Sequence, residues 1–189
     1  MKLTILGSGT SQGIPVIACQ CDVCRSADKH DKRLRSSAML EVKGKKIIID
    51  AGPDFRYQML RSGVEDIRAI LLTHGHKDHV GGLDDVRAFN WVKQGAVDVY
   101  GSSETRDVVY KDFSYAFAAF RYPGVPEIAY HTLDNSPFFI DDIKVIPIPV
   151  LHYKMPVLGF RIGNFAYITD AKTIPETSFE LLRGVEYLV

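Results

Sequence analysis

The feature that most restricts this chain is a strand that runs straight into a cluster of ligand-type side chains. Ile67 to Leu72 is apolar apart from Arg68, as a buried strand should be, and Thr73-His74-Gly75-His76-Lys77-Asp78-His79 follows it directly. In an extended segment residues two apart point the same way, so His74 and His76 can grip one ion from one side. Asp78 and His79 come where the chain turns toward the next helix and can reach a second ion. Gly75 lets the backbone turn with no side chain in the way. The strand is the rigid base that a ligand set needs, and imidazole with carboxylate suits zinc, iron or manganese. A lone histidine is more often an ordinary core or surface residue; three within six residues after a buried strand point to a metal centre.

Two distant residues extend the set. His152 follows a strand expected at 143–149, and Asp170 ends one expected at 165–169. Each alone reads as a polar loop residue. Together they offer a third ligand for the first ion and a bridging carboxylate. The three cysteines, Cys19, Cys21 and Cys24, also fall within six residues. An odd, tight set is a poor disulfide framework and a better metal or redox cluster.

Further strands are expected at about 2–6, 38–42, 46–50, 97–100, 127–131, 138–140, 157–162 and 185–189. Helices are expected at 53–61, 83–93, 105–110 and from Pro175 to about 182. Strands come mostly as hairpins with helices between the groups. That order predicts an α/β (α+β) fold with two mixed sheets face to face and helices outside, a four-layer αββα sandwich. A length of 189 residues predicts one domain over 1–189. Lys plus Arg and Asp plus Glu are 23 each, so the chain carries no electrostatic footprint for bulk nucleic acid. No apolar run approaches a membrane span, and Met1–Gly7 is too short for a secretory signal, so a cytoplasmic location is expected.

Three other features are less specific. The loop Gly7-Ser8-Gly9-Thr10-Ser11-Gln12-Gly13 lacks the Lys of a phosphate-binding P-loop and reads equally as a substrate edge or a tight turn. Phe113, Tyr115, Phe117, Phe120, Tyr122 and Tyr130 favour a core or dimer contact over a base-stacking wall. Lys154 and Arg121 read as solvated surface before phosphate contacts.

The T-H-G-H-K-D-H run, Asp50 in I-I-I-D-A-G, His152 and Asp170 resemble, in order and approximate spacing, the first four motifs of the metallo-β-lactamase superfamily. L-G-S-G-T-S-Q-G-I-P with C-x-C-x-x-C is similar to the PhnP-type phosphodiesterase branch, and to PqqB of pyrroloquinoline quinone biosynthesis. The resemblance implies two divalent metal ions, Zn or Mn. His74, His76 and His152 would hold the first, Asp78 and His79 the second, with Asp170 bridging and Asp50 orienting ligands. It implies a separate structural Zn at Cys19, Cys21 and Cys24, whose fourth ligand is locally His30 and in the family a histidine much nearer the C-terminus. The implied reaction is hydrolysis of a small phosphodiester, a cyclic ribose phosphate or a nucleotide, by a water whose pKa the ions lower toward about 7. Asp78 and His79 carry the catalytic roles, Asp78 orienting the nucleophile and taking its proton.

The alternatives within the fold are hydrolysis of a thioester, a lactone or a tRNA 3′ end, and outside catalysis a PqqB-like metal-binding accessory protein. The family continues past the strand at Val185 with further histidines. The chain is therefore expected to lack a C-terminal segment bearing a ligand of the second ion, the fourth ligand of the cysteine site and a general acid. The other expectation is a homodimer in which a second copy completes these sites.

Overall fold

Three successive isoleucines, Ile47, Ile48 and Ile49, are all fully buried, yet they serve two different cores. Side chains alternate across a strand, so Ile47 and Ile49 face one way and Ile48 the other. A continuous apolar run is what a strand covered on both faces requires. This strand, β3 (Lys45–Ile49), lies inside a six-stranded sheet, in a computed structural model that describes residues 1–189. Its partners in chain order are β1 (Lys2–Gly7), β2 (Ser37–Val42), β4 (Ala69–Leu71), β5 (Val97–Gly101) and β6 (Ile128–Thr132), and the spatial order is β1-β2-β3-β4-β5-β6. The first two pairings are antiparallel and the last three parallel.

The second sheet holds β7 (Phe138–Ile140), β8 (Ile143–His152), β9 (Met155–Ile162), β10 (Phe165–Tyr167) and β11 (Tyr187–Leu188), in the order β11-β10-β9-β8-β7. Between the sheets, Leu40, Ile47, Ile49 and Leu71 meet Ile143, Val145, Leu158 and Phe160. On the outer face of the first sheet, Ile48, Ile70 and Val99 pack with Phe55, Met59, Phe89 and Val109. Those last four come from α2 (Phe55–Arg61), α4 (Arg87–Lys93) and α5 (Ser103–Asp112). On the outer face of the second sheet, Ile148, Val150 and Val157 pack against Leu181 and Leu182 of α7 (Glu176–Leu182). The layers are helix, sheet, sheet, helix, as the strand and helix order predicts.

Short helices complete the chain: α1 (Asp22–Arg25), α3 (Lys77–Val80) and α6 (Ser114–Phe117). None of the helices is long and apolar enough to cross a membrane.

Several boundaries differ from the sequence reading. The strand expected to stop at Pro149 continues to His152. Pairing with β7 ends at Val145, so the next residues of β8 have a partner only in β9. Pro147 and Pro149 share the side on which Leu151 N–H leaves the sheet for Thr173 O (2.9 Å), where a missing N–H costs no ladder bond. The helix expected at 83–93 divides into a 3-10 turn at Leu83–Val86, which follows Gly82 with its N–H docked on Ala51 O (2.8 Å), and α4. Pro175 caps α7 from outside rather than opening its first turn.

Candidate metal centre

The ends of β3, β4, β8 and β10 bring the ligand-type residues to one edge of the sandwich. A backbone bond from Leu158 N–H to Thr73 O (2.9 Å) joins the two sheets beneath them. After β3 the chain turns sharply at Asp50, which has φ +62 and is fully buried. Its loop is docked on α3: Ala51 N–H donates to His79 O (2.8 Å). A Cβ on Gly52 would lie 1.9 Å from Asp78 O, so only glycine allows this approach. Gly75 serves in a similar way. It is not a positive-φ turn residue; a Cβ there would meet Val108 of α5 at 2.9 Å.

The Asp50 carboxylate organises the centre. Thr73 N–H donates to its Oδ1 (2.8 Å), and His79 Nδ1 lies 2.7 Å from its Oδ2. With Nδ1 donating to Asp50, His79 turns Nε2 toward Asp78 Oδ2 (3.3 Å) and Asp170 Oδ2 (3.4 Å). His74 is held likewise: its Nδ1 meets Thr73 Oγ1 at 3.0 Å and its Nε2 stands 3.6 Å from Asp170 Oδ2. That Nε2 is buried and has no hydrogen-bond partner. An orphaned buried nitrogen aimed at a carboxylate cluster is what a metal ligand looks like without its ion.

Two donor sets result, each with its ligand atoms within 4.8 Å of one another: His74, His76 and Asp170, and Asp78, His79 and Asp170. They share Asp170, which has φ +53 three residues beyond β10. The His152 ring is adjacent, 5.6 Å from the His76 ring and 6.2 Å from that of His74, but its nitrogens lie outside both sets. His152 is the last residue of β8, so its place is set by the sheet and not, as expected, by a following loop.

The charges fit cations. Burial, with His79 close by, lowers His74 to about 4, so its imidazole is neutral. Burial also opposes a charge on His79, but Asp50, Asp170 and Asp78 around it overcome this and push it up to about 10. The hydrogen bond with His79 holds Asp170 well below the usual carboxylate range. The carboxylates that favour a positive charge on His79 would favour a divalent cation in the same place, and a bound metal would displace the proton.

The centre opens into a cleft of about 620 Å³, lined also by Gly9, Thr10, Ser11, Ser36, Tyr153 and Lys172. The glycine-rich loop therefore reaches the site as well as turning the chain. Ser36, Tyr153 and Lys172 were not singled out from the sequence, since each is an ordinary polar loop residue until the sheets pack. Arg121 and Lys154 are exposed and line no part of the cleft. Phe113 is core, while Phe120 and Tyr122 are exposed away from the cleft, so no aromatic wall forms from that segment.

Cys19, Cys21 and Cys24 form a third cluster, with the Cys19 and Cys21 sulfurs 3.4 Å apart. A hydrogen bond from the Cys24 backbone lowers the Cys21 thiol, which favours the thiolate that binds metal. His30 is not part of it. Its ring pairs with Asp28 at 2.8 Å instead.

Residues 45–189 match the family model described as the β-lactamase superfamily domain. A curated relative called octanoyltransferase, from Porphyromonas gingivalis, is 42% identical over 190 residues, which cover this whole chain but 38% of that protein. A ribonuclease Z from Nostoc sp. is 29% identical over 87% of this chain and 47% of its own length. The chain thus spans less than half the length of these two relatives. A crystal structure described as a new diphosphatase from the PhnP family superposes with a TM-score of 0.90 at 42% identity, covering 98% of this chain and 71% of that one. The matched residues carry every side chain of the two donor sets and Asp50 with them, and the chain belongs to the metallo-β-lactamase superfamily, on its PhnP-like branch.

Proposed function

We propose that this chain is a metal-dependent hydrolase that cleaves a small phosphodiester, a cyclic ribose phosphate or a nucleotide phosphate. The observation that carries the reading is the pair of donor sets sharing Asp170 at the floor of an open cleft. His74, His76 and His152 would hold one divalent ion, Asp78 and His79 a second, with Asp170 shared between them; zinc and manganese both suit these donors. Such ions supply Lewis acidity toward phosphoryl oxygens and make water acidic enough to deprotonate near neutral pH. Asp78 lines the cleft, so its carboxylate can orient the attacking water and take its proton. Asp50, buried behind His79, keeps the imidazole aimed. Cys19, Cys21 and Cys24 would hold a separate structural zinc.

The similarity to a PhnP-family diphosphatase supports phosphate chemistry. The octanoyltransferase relative does not argue for acyl transfer here, because most of that protein lies outside the match. The test is turnover of bis-(p-nitrophenyl) phosphate by the metal-loaded protein, beside a thioester, a lactone and a precursor tRNA. The expected result is hydrolysis of the phosphodiester, abolished in His76→Ala. Cleavage of another ester or of the tRNA with the phosphodiester untouched would overturn the substrate class. Full metal content with no turnover at all would point to an accessory role.

A further inference from the structure

Lys172 and Tyr153 line the cleft outside the donor sets. Lys172 is the one lysine or arginine in its lining. The lining also holds Asp78 and Asp170, yet these pair with His74 and His79 and not with Lys172. The Lys172 ammonium is therefore a cation without a carboxylate partner, on a residue that lines the cleft. Its backbone is fixed: Lys172 N–H and Thr173 N–H both donate to Leu151 O, at 2.7 and 3.0 Å. Leu151 belongs to β8 and directly precedes His152.

Tyr153 is the second. It turns the chain between β8 and β9 with φ +56, in the left-handed region that a bulky side chain avoids. Glycine or asparagine would serve the turn better. Lys43 and Gln94 share that conformation at ordinary turns; what sets Tyr153 apart from them is that it lines the cleft. The Tyr153 side chain is exposed rather than packed, its ring 5.5 Å from the His152 ring, and the Lys172 Nζ lies 5.9 Å from its centroid. That cation–π distance sets the ammonium over the ring.

We propose that Tyr153 and Lys172 form the substrate-recognition wall of this cleft, Lys172 binding a phosphate oxygen and Tyr153 stacking on a planar, base-like arm of the ester. The wall selects a nucleotide-type phosphodiester over a neutral ester or a phosphate with a small aliphatic arm. It rests on the phosphodiesterase reading above, but it is tested by binding alone. Calorimetric titration of the metal-loaded protein with inorganic phosphate and with adenosine 5′-monophosphate separates the two roles. Lys172→Met weakens both ligands by about tenfold or more, the loss expected when a charged hydrogen bond is removed. Tyr153→Gly weakens the nucleotide by at least about fivefold and leaves inorganic phosphate unchanged, since stacking needs a base. Its melting temperature does not fall, because glycine relieves the left-handed strain. Wild-type nucleotide affinity in Tyr153→Gly, or wild-type phosphate affinity in Lys172→Met, would overturn the proposal. Retained nucleotide binding with no phosphodiester turnover would instead remove the reaction and leave the wall in place.

Discussion

Asp50 shows how much of the centre depends on a residue that touches no substrate. Its carboxylate accepts from Thr73 N–H and lies against His79 Nδ1, and it is fully buried. Replacing it should act on metal affinity through the aim of His79. Removal of such a partner typically costs about 10–100-fold in metal affinity. Asp50→Asn keeps an acceptor for Thr73 N–H and should show that loss in a chelator-competition titration with the fold intact. Asp50→Ala also leaves a buried N–H unpaired and should lower stability by about a further 1–3 kcal/mol in urea titration. Unchanged metal affinity in Asp50→Asn would show that His79 needs no such orientation.

At the level of elements, the hairpin joining β7 and β8 is tied to the first sheet by charge. Asp142 meets Lys43 Nζ at 2.6 Å and Lys45 Nζ at 3.0 Å; Asp141 meets Lys45 and, through both its oxygens, Arg68. The hydrogen bond from Lys43 and then that from Lys45 hold the Asp142 carboxyl down to about 2, below its ordinary 3.8. Arg68 and Lys45 lower Asp141 in the same way. A depressed carboxylate contributes stability that is present above its ordinary pKa and lost as pH falls toward its folded one. Asp142→Asn should therefore lower the urea midpoint at neutral pH, and its deficit should shrink as pH falls from about 4 toward 2. The exposed setting makes the neutral-pH effect small and salt-sensitive. A deficit that stays constant with pH would mean that shape, and not charge, ties the hairpin down.

Across the whole molecule, β11 is one sheet edge that carries exposed apolar side chains. It is an edge strand of two residues, paired on one side with β10, and Tyr187, Leu188 and Val189 are 62, 58 and 44% exposed. A free edge carrying apolar side chains pairs readily with another chain. Sedimentation velocity should show an associated species that grows with protein concentration, and Leu188→Lys should remove it. A monomer at every concentration would show that the twist and brevity of the edge are protection enough.

How much of this was legible beforehand differs by feature. The H-x-H-x-D-H run after a buried strand identifies a metal centre because its ligands are neighbours in sequence and strand geometry alone aims them. The αββα layering follows from the order of hairpins and helices. The split of Ile47, Ile48 and Ile49 between two cores was hidden, since a strand apolar on both faces shows no alternation. Asp50 was reached through a family likeness; no local pattern says that a carboxylate at the end of one strand will meet an imidazole 29 residues later. Tyr153 and Lys172 were missed outright, because a tyrosine in a turn and a lysine in a loop are ordinary one at a time. The sequence by itself determined the donor chemistry and the layered fold, which short-range periodicity encodes. Tertiary structure decided which distant side chains share the cleft, because contact between β8, β10 and the loop after β4 is a product of two sheets packing face to face.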